Sequence, residues 1–317
     1  MTKQTGIAAG EPPAIWTVGL SKRFGATMAV AGLDLHVDAG QVFGFLGPNG
    51  AGKTTTIRLL MALQRPTGGR AELFGRSAWD DAPALHRRVG YLPGELTLHP
   101  RLTGAQHLAW FAQARRLQDR SRIEQLVERF GAVTDRPARE LSTGNRQKIG
   151  LVLAFMHRPD LLVLDEPTSG LDPLVRAEFQ QLARETVAEG RTVFLSSHDL
   201  DEVQHVADRV ALVREGAVVA TDSVEGLRRA TPHRLDVRFR RPVDRDRLAA
   251  LIGLPGVAAR GDEAPSAGDR TRVSLQVTGE LGPVLQAVGA LEPVDVLARH
   301  ADLDELFLDF YRHGADR

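Results

Sequence analysis

The chain has 317 residues, and its 40 lysines and arginines are balanced by 40 aspartates and glutamates. This balance argues against nucleic acid as a partner, because nucleic-acid-binding proteins present an excess of basic surface. Cysteine is absent, which excludes a disulfide framework, a thiolate zinc site and a cysteine nucleophile. No apolar run reaches the roughly 18 residues of a membrane-spanning helix, so we expect no span within this chain.

Strand and helix patterns alternate through most of the sequence, after a small polar segment at residues 1–13 that we expect to be a flexible tail. Strands are predicted at residues 15–20, 33–37, 42–46, 161–164, 192–196, 210–213 and 217–220. A helix is predicted at residues 53–63, and residues 100–156 are mostly helical in pattern. The alternation predicts an α/β core that carries a helical subdomain, over residues 14–230.

The pattern changes near Thr231 and Pro232. From there the predicted order is strand, helix, strand, strand, helix, strand and helix. The segments are residues 235–239, 245–252, 256–260, 272–277, 281–290, 294–298 and 303–311. The first six elements have the ferredoxin-like order β-α-β-β-α-β, so we expect a small α+β domain over residues 231–317, with a surface loop at residues 261–269.

The most specific motif is a complete G-x-x-x-x-G-K-[ST] between the predicted strand 42–46 and the helix 53–63. In that context glycines let backbone N–H groups approach phosphate oxygens, and the helix N-terminus adds its positive end. A glycine-rich turn that only caps a helix is the alternative, which the flanking strand and helix disfavour. Lys53 is expected to reach the β- and γ-phosphates, and the Thr54 hydroxyl to ligate Mg²⁺. The predicted nucleotide-binding residues are Gly47, Pro48, Asn49, Gly50, Ala51, Gly52, Lys53, Thr54 and Thr55.

Two carboxylates, Asp165 and Glu166, follow the buried strand 161–164. Ligands of open parallel sheets bind at the carboxyl ends of the strands. We therefore expect Asp165 to hold Mg²⁺ and Glu166 to act as general base on the attacking water. A solvated strand end is the plainer alternative for the pair taken alone. His198 follows the strand 192–196, where it is expected to contact the γ-phosphate; an isolated histidine is otherwise structural or exposed.

A further motif, here called the signature, covers residues 141–147 and precedes Asp165 in the chain. Its sequence is Leu-Ser-Thr-Gly-Asn-Arg-Gln, just before a predicted helix. Ser142 or Thr143 as an ordinary helix N-cap is the alternative interpretation. The position of the motif between the phosphate-binding loop and Asp165 favours a functional role.

In their order and spacing, these motifs resemble the ABC ATPase family over about residues 14–230. The resemblance implies a head-to-tail dimer, of two identical or two different ATPase subunits, that encloses two ATP molecules. ATP would lie between the phosphate loop of one subunit and the signature of the other. The residues implied to serve ATP across the dimer are Ser142, Thr143, Gly144 and Asn145. Ser169 and Asp172 match the residues of this family at the dimer contact.

Phe24 matches the aromatic residue that stacks on adenine in this family, with a strand or core aromatic as the alternative. Two positions depart from the family pattern. The signature has Thr143 and Asn145 where Gly and Gln are usual. Gly94 stands where a glutamine usually contacts Mg²⁺ and the transmembrane partner, so we expect Glu95, or water, to take over part of that coupling contact.

Three phrases, at residues 90–95, 142–148 and 302–308, resemble the ATPase subunits of bacterial drug and antibiotic exporters. The resemblance implies ATP and Mg²⁺ as cofactors, separate transmembrane permease subunits as partners and a place on the cytoplasmic face of the cell membrane. The cargo would be a drug, antibiotic or other hydrophobic compound. One alternative is an amino-acid importer ATPase, since some carry a ferredoxin-like C-terminal domain. A non-transport ABC ATPase is the other alternative.

Overall fold

The computed structural model describes residues 12–230, 233–259 and 271–300. The predicted tail up to residue 11, the loop at 261–269 and the helix at 303–311 lie outside these ranges. The chain divides into two compact units, Met1–Asp222 and Ser223–Arg317. The domain boundary expected after residue 230 stays a prediction. The helix at Val224–Ala230 lies between that position and the division after Asp222, and it belongs to the second unit.

The first unit alternates strands and helices, as the sequence pattern predicts. In chain order they are β1 (Ile15–Phe24), β2 (Thr27–Val37), β3 (Val42–Leu46), α1 (Lys53–Leu60), β4 (Gly68–Leu73), β5 (Arg76–Ser77), α2 (Ala82–Arg88), β6 (Val89–Leu92), α3 (Gly104–Ala114), α4 (Ser121–Phe130), α5 (Thr143–Phe155), β7 (Leu161–Asp165), α6 (Pro173–Ala188), β8 (Thr192–Ser197), α7 (Leu200–Gln204), β9 (Arg209–Arg214) and β10 (Ala217–Ser223). A short 3₁₀ turn, Ala138–Glu140, precedes α5. The predicted helix 53–63 ends earlier, at Leu60, because Ala62 has a left-handed backbone with φ of 51°.

The central sheet has six strands in the order β10-β9-β3-β8-β7-β6. From β9 to β6 the neighbouring strands are parallel. Every residue of β3, β7 and β8 is buried, as expected for parallel strands covered on both faces. Phe43 and Phe45 of β3 pack on Phe194 of β8, with ring centroids 6.1 and 5.4 Å apart. Full burial of each ring contributes about 1.5–3 kcal/mol to the stability of this layer.

An antiparallel sheet, β2-β1-β4-β5, completes the strands of the first unit. The strands predicted at residues 210–213 and 217–220 are confirmed as β9 and β10, which are neighbours in the central sheet and are connected by Glu215 and Gly216, with φ angles of 51° and 80°. The expected helical segment is also confirmed, with α3, α4 and α5 packing together. Arg129 of α4 bridges to Glu178 and Glu185 of α6, at 2.9 and 2.5 Å. These ion pairs connect the helical segment to the helix that follows β7.

The second unit has its own core. Its elements are α8 (Val224–Ala230), β11 (His233–Phe239), α9 (Arg245–Ile252), β12 (Val257–Ala259), β13 (Arg272–Val277), α10 (Leu281–Gly289) and β14 (Pro293–His300). The sheet order is β12-β13-β11-β14, with every neighbouring pair antiparallel. Alternate residues of β11 and β13 pack against α9 and α10. This is the ferredoxin-like arrangement that the sequence predicts. Within the described residues, no helix has the length and apolar character needed to cross a bilayer.

Candidate functional site

The order of the central sheet places the predicted motifs at one edge. Strands β3, β8, β7 and β6 are successive parallel neighbours, so their carboxyl ends lie side by side. The glycine-rich loop follows β3, His198 follows β8, Asp165 ends β7, and Gly94 lies just after β6. The edge therefore unites residues that the sequence separates widely.

The loop of residues 47–52 leads directly into α1. Gly52 is the residue before the helix and has a φ of 99°, and a Cβ there would lie 2.4 Å from the Ala29 carbonyl oxygen. Only glycine fits this position without strain, and it brings no side chain to cap the helix. The first N–H groups of a helix have no partner within it, so they suit phosphate oxygens.

Lys53 is the first residue of α1, and only 6% of it is exposed. Its ammonium group donates to the carbonyl oxygens of Gly47, at 2.6 Å, and Pro48, at 3.3 Å. The ammonium also lies 3.3 Å from Glu166 Oε1. A buried cation held beside the glycine-rich loop is suited to neutralise a bound polyphosphate.

Glu166 connects Lys53 to His198. Its Oε2 atom lies 2.8 Å from His198 Nδ1, while Oε1 contacts Lys53. The backbone of Glu166 is left-handed, with φ of 49°, a conformation that costs a residue with a Cβ about 1–2 kcal/mol. Its N–H group donates to the carbonyl oxygen and the hydroxyl of Ser196, at 3.2 and 3.1 Å. The fold therefore maintains a strained backbone at the predicted base.

The carboxylate of Asp165 is fully buried at the end of β7. Oδ1 accepts a hydrogen bond of 2.5 Å from the Ser196 hydroxyl, whereas Oδ2 is buried with no hydrogen-bond partner in the described part of the chain. A buried carboxylate oxygen without a partner is costly unless a ligand satisfies it. Mg²⁺ prefers oxygen ligands and is usually held by one or two carboxylates together with phosphates. Asp165 and the half-buried Thr54 hydroxyl, near the start of α1, fit that ion.

Gly94 meets Asp165 directly. A Cβ at Gly94 would lie 2.9 Å from Asp165 Oδ2 and 3.2 Å from its Cγ, which is closer than ordinary contact distance. The backbone of the loop therefore occupies the position from which a side chain would approach the carboxylate. Glu95 is exposed, and the expectation that it takes over a coupling role stays a prediction.

The signature begins α5. Ser142 is its N-cap and accepts from the N–H group of Asn145 at 3.1 Å, so the N-cap interpretation is correct. Ser142 and Thr143 are exposed. Gly144 packs on the carbonyl oxygen of Gly170, where a Cβ would lie only 2.6 Å away.

The side chain of Asn145 is already bonded within the chain. It is buried, and its amide accepts from the N–H group and donates to the carbonyl oxygen of Val133, at 2.7 Å each. These bonds join the turn after α4 to α5. The contact of Asn145 with ATP in a dimer stays a prediction, and this structural role was not evident from the sequence.

The segment after Glu166 forms a turn, here called the 166–172 turn. Ser169 is exposed. Asp172 is the N-cap of α6, accepting from the N–H group of Val175 at 3.0 Å. That bond, followed by the nearby Lys148 ammonium, lowers the pKa of the Asp172 carboxyl. Leu174 beside it is 81% exposed, so an apolar side chain stands next to the predicted dimer contact.

Phe24 ends β1 and is 47% exposed, with the Lys22 ammonium 5.1 Å from its ring centroid. In the alternative interpretation, the strand position is therefore correct and the core position is wrong, while adenine stacking stays a prediction. Two residues of the site had no predicted role. Ser196 serves Asp165 and Glu166, and its only signal in the sequence is a small hydroxyl at the end of an apolar run. Gln147 donates to the carbonyl oxygens of Glu166 and Pro167, at 3.1 Å each.

Comparison with known proteins agrees with this geometry. Residues 30–169 match the family model described as ABC transporter. The daunorubicin resistance ATP-binding protein DrrA3 of Streptomyces coeruleorubidus is 38% identical over 315 residues, which cover 96% of this chain and 97% of that protein. The chain belongs to the ATP-binding proteins of the ABC transporter family. This ABC protein is an ATPase coupled to transport, and the resemblance inferred from its motifs is confirmed.

Further relatives and solved structures match about two thirds of this ABC ATPase. The bacitracin transport ATP-binding protein BcrA of Bacillus licheniformis is 36% identical, over 65% of this chain and 68% of that protein. A solved ATP-binding subunit of an ABC transporter superposes with a TM-score of 0.62 at 29% identity, covering 68% of this chain and 92% of that structure. The cassette MJ0796, solved as a dimer bound to ADP and Pi, gives a TM-score of 0.59 at 20% identity, over 66% of this chain and 98% of its own. The latter comparison supports the fold alone.

Proposed function

We propose that this ATPase powers the export of a drug, antibiotic or other hydrophobic compound through separate permease subunits. The observation that carries the ATPase site is the row Lys53–Glu166–His198 beside the Asp165 oxygen that has no hydrogen-bond partner among the described residues. It provides a cation for phosphate, a carboxylate for water and an oxygen for a metal at one sheet edge.

In the proposed mechanism, the loop N–H groups and Lys53 bind the β- and γ-phosphates. Glu166 orients the attacking water and accepts its proton, and His198 holds the Glu166 carboxylate and contacts the γ-phosphate. Asp165 and Thr54 would hold Mg²⁺, which when bound neutralises the charge that develops on the phosphates. The exposure of Phe24 supports its stacking on adenine.

The proposed ATP-bound state is a head-to-tail dimer. The exposed Ser142 and Thr143, with Gly144 and Asn145, would face the γ-phosphate of the other subunit from the start of α5. Ser169 and Asp172 would lie at the contact between the subunits. The exposed Leu174 supports this placement, because a large apolar side chain at the surface is suited to burial against a partner.

Export is supported by the extent of the similarity. The daunorubicin resistance protein DrrA3, and DrrA of Streptomyces peucetius at 35% identity, both align over 96% of this chain. The alignment therefore includes the ferredoxin-like unit, which was the main reason to consider an amino-acid importer. Full-length similarity to proteins named for drug resistance favours export over the importer and over a non-transport ABC ATPase.

The helical segment provides a surface suited to the permease at the cytoplasmic face of the membrane. On α3, Trp110 is 60% exposed and packs edge-on against Phe111, with ring centroids 4.9 Å apart. Beside them is an open groove of about 710 Å³ that is also lined by His86, Arg115 and His157. Exposed aromatic rings next to arginine are typical of protein interfaces. The loop at Gly94 joins this segment to the Asp165 carboxylate, which supports a coupling role.

The proposal is tested in cells that express the chain with its permease. The wild-type pair should lower the accumulation of a fluorescent anthracycline, and Glu166→Gln should abolish this effect. Purified Glu166→Gln should still bind ATP and accumulate as an ATP-bound dimer, because the substitution removes the base and keeps the binding residues. Wild-type hydrolysis by Glu166→Gln would exclude that residue as the base, and unchanged accumulation of the anthracycline with an active ATPase would exclude that compound as the cargo.

A further inference from the structure

Gln147 lies on α5, within the signature, and reaches the backbone of the predicted base. It is only 7% exposed, and its Nε2 group donates to the carbonyl oxygens of Glu166 and Pro167, at 3.1 Å each. Both donors of one side-chain amide are thus directed at two successive peptide groups. Such pairing fixes the orientation of both peptides.

Gln147 is bonded to the carbonyl group of Glu166, the residue whose backbone is strained. Glu166 has a left-handed backbone, and its N–H group is bonded to Ser196 while its carbonyl group is bonded to Gln147. With both ends of the residue held, its carboxylate is directed toward Lys53 and His198. Without the bonds from Gln147, relaxation of the backbone toward ordinary φ values would move that carboxylate.

Helix α5 contacts the 166–172 turn at two further points. Gly144 lies against the carbonyl oxygen of Gly170, and Lys148 lies 3.8 Å from Asp172. Gln147 holds the beginning of the turn, while these contacts lie at its end. Helix α5, which Ser142 caps, therefore contacts the turn that contains the predicted base, Glu166, at both ends of that turn.

We propose that Gln147 is a positioning residue that sets the Glu166 carboxylate and makes its position depend on the signature helix. The inference rests on the proposed function, in which the signature of a subunit contacts the ATP of its partner while Glu166 serves the ATP of its own site. When the signature contacts the ATP of the partner subunit, the position of α5 is fixed. Gln147 then fixes the position of Glu166 through its two hydrogen bonds. A subunit would hydrolyse its own ATP at full rate only when its signature is in contact with the ATP bound by the partner subunit.

The test measures ATP hydrolysis by the full chain with its permease in membrane vesicles. Gln147→Met keeps the length of the side chain and removes both donors. We expect kcat to fall about ten- to a hundredfold, because small displacements of a catalytic group have effects of this size. KM for ATP should stay close to wild type. Gln181→Met, a matched change at an exposed glutamine of α6, should leave kcat unchanged.

Gln147→Glu provides a readout that a purely structural role would not produce. As an anion it offers no donor to the two carbonyl groups, whereas its protonated form regains one. Burial raises the pKa of such a carboxyl, so the activity of Gln147→Glu relative to wild type should rise as the pH is lowered, while that of Gln147→Met should not. Equal pH profiles for the two variants would contradict the positioning role.

The dependence on the signature is tested with a double-mutant cycle. If Ser142 and Gln147 act through one helix, the loss of kcat in Ser142→Ala/Gln147→Met should be clearly smaller than the product of the single losses. Multiplicative losses would overturn the link to the signature. Wild-type kcat in Gln147→Met, with Glu166→Gln inactive, would overturn only the present inference. Hydrolysis by Glu166→Gln would instead overturn the proposed base.

Discussion

At the scale of single residues, the contact between Gly94 and Asp165 distinguishes this chain from the usual pattern of its family. In place of a glutamine side chain, the backbone of the loop itself approaches the carboxylate, since a Cβ at Gly94 would lie 2.9 Å from Oδ2. Asp165 has little room to withdraw, since its other oxygen is held by Ser196. The glycine and the position of the carboxylate are therefore coupled.

The family-typical residue should accordingly impair this protein. We expect Gly94→Gln to raise the Mg²⁺ concentration needed for half-maximal ATP binding about tenfold, because overpacking of this kind costs about 1–3 kcal/mol. The measurement is the fluorescence of a bound ATP analogue titrated with Mg²⁺. Glu95→Gln in the same titration tests the expected role of Glu95, and a weaker Mg²⁺ response than that of wild type would support it. A stronger Mg²⁺ response in Gly94→Gln would show that the loop moves away from Asp165.

The residues of the site were predictable where chemistry fixes their spacing. Lys53, Thr54, Asp165 and Glu166 lie in patterns whose residue types and positions phosphate chemistry requires. The contacts that Ser196, Gln147 and Asn145 make within the chain lay beyond that reasoning, because the partners are backbone groups or side chains far away in the sequence. A glutamine that supports a strained peptide looks the same in the sequence as one in solvent.

At the scale of secondary structure, the segments predicted from the sequence have the expected type, but their ends differ, and β4, β5, β6, α2, α6, α7 and α8 have no counterpart among the predicted segments. Periodicity marks the buried core of a strand, so the exposed outer halves of β1 and β2 were missed. The end of α1 depends on the left-handed backbone of Ala62, which alanine seldom adopts and no local pattern signals.

The connection between α5 and β6 should respond to pH. His157 follows α5, and its Nε2 atom lies 3.2 Å from the Val89 carbonyl oxygen. Burial, followed by the nearby Arg115 guanidinium, lowers the pKa of His157 from 6.5 to about 4. The unfolded chain therefore binds a proton at this residue more readily than the folded chain. The free energy of unfolding should fall as the pH drops from about 6.5 to about 4, by roughly 1–3 kcal/mol in total.

His157→Gln tests this sign. The variant cannot titrate and retains an N–H donor for Val89, so its thermal midpoint should fall less than that of wild type between neutral pH and about pH 5. His205→Gln, at an exposed histidine, serves as the control and should follow wild type. An equal fall for wild type and His157→Gln would show that other groups cause the acid sensitivity.

At the scale of the whole molecule, the β-α-β-β-α-β order of the second unit was readable, whereas the strand order of the central sheet was not. Strand β3 lies between β8 and β9, and these pairings join residues far apart in the sequence. Local patterns carry no information on such pairs. The resemblance to the ABC family supplied the expectation that the loop after β3 and the carboxylates after β7 share an edge.

The division into two units leads to a last prediction, which concerns α8. The sequence suggests a boundary after residue 230, whereas the contacts of the chain divide it between Asp222 and Ser223. Val224 and Leu227 of α8 are buried. A fragment that lacks α8 therefore loses stability only if these two side chains belong to its core. All described residues of the ATP site lie before residue 222.

A fragment of residues 1–222 should therefore fold, bind a fluorescent ATP analogue about as tightly as the full chain, and have the same thermal midpoint as a fragment of residues 1–230. If α8 instead supports the first unit, the shorter fragment should melt several degrees lower, since exposing two buried aliphatic side chains costs roughly 3–5 kcal/mol. Conversely, residues 223–317 should unfold cooperatively by circular dichroism, and residues 231–317 should be less stable. If residues 1–230 melt higher than residues 1–222, and residues 231–317 are no less stable than residues 223–317, the boundary lies after residue 230, as the sequence pattern suggests.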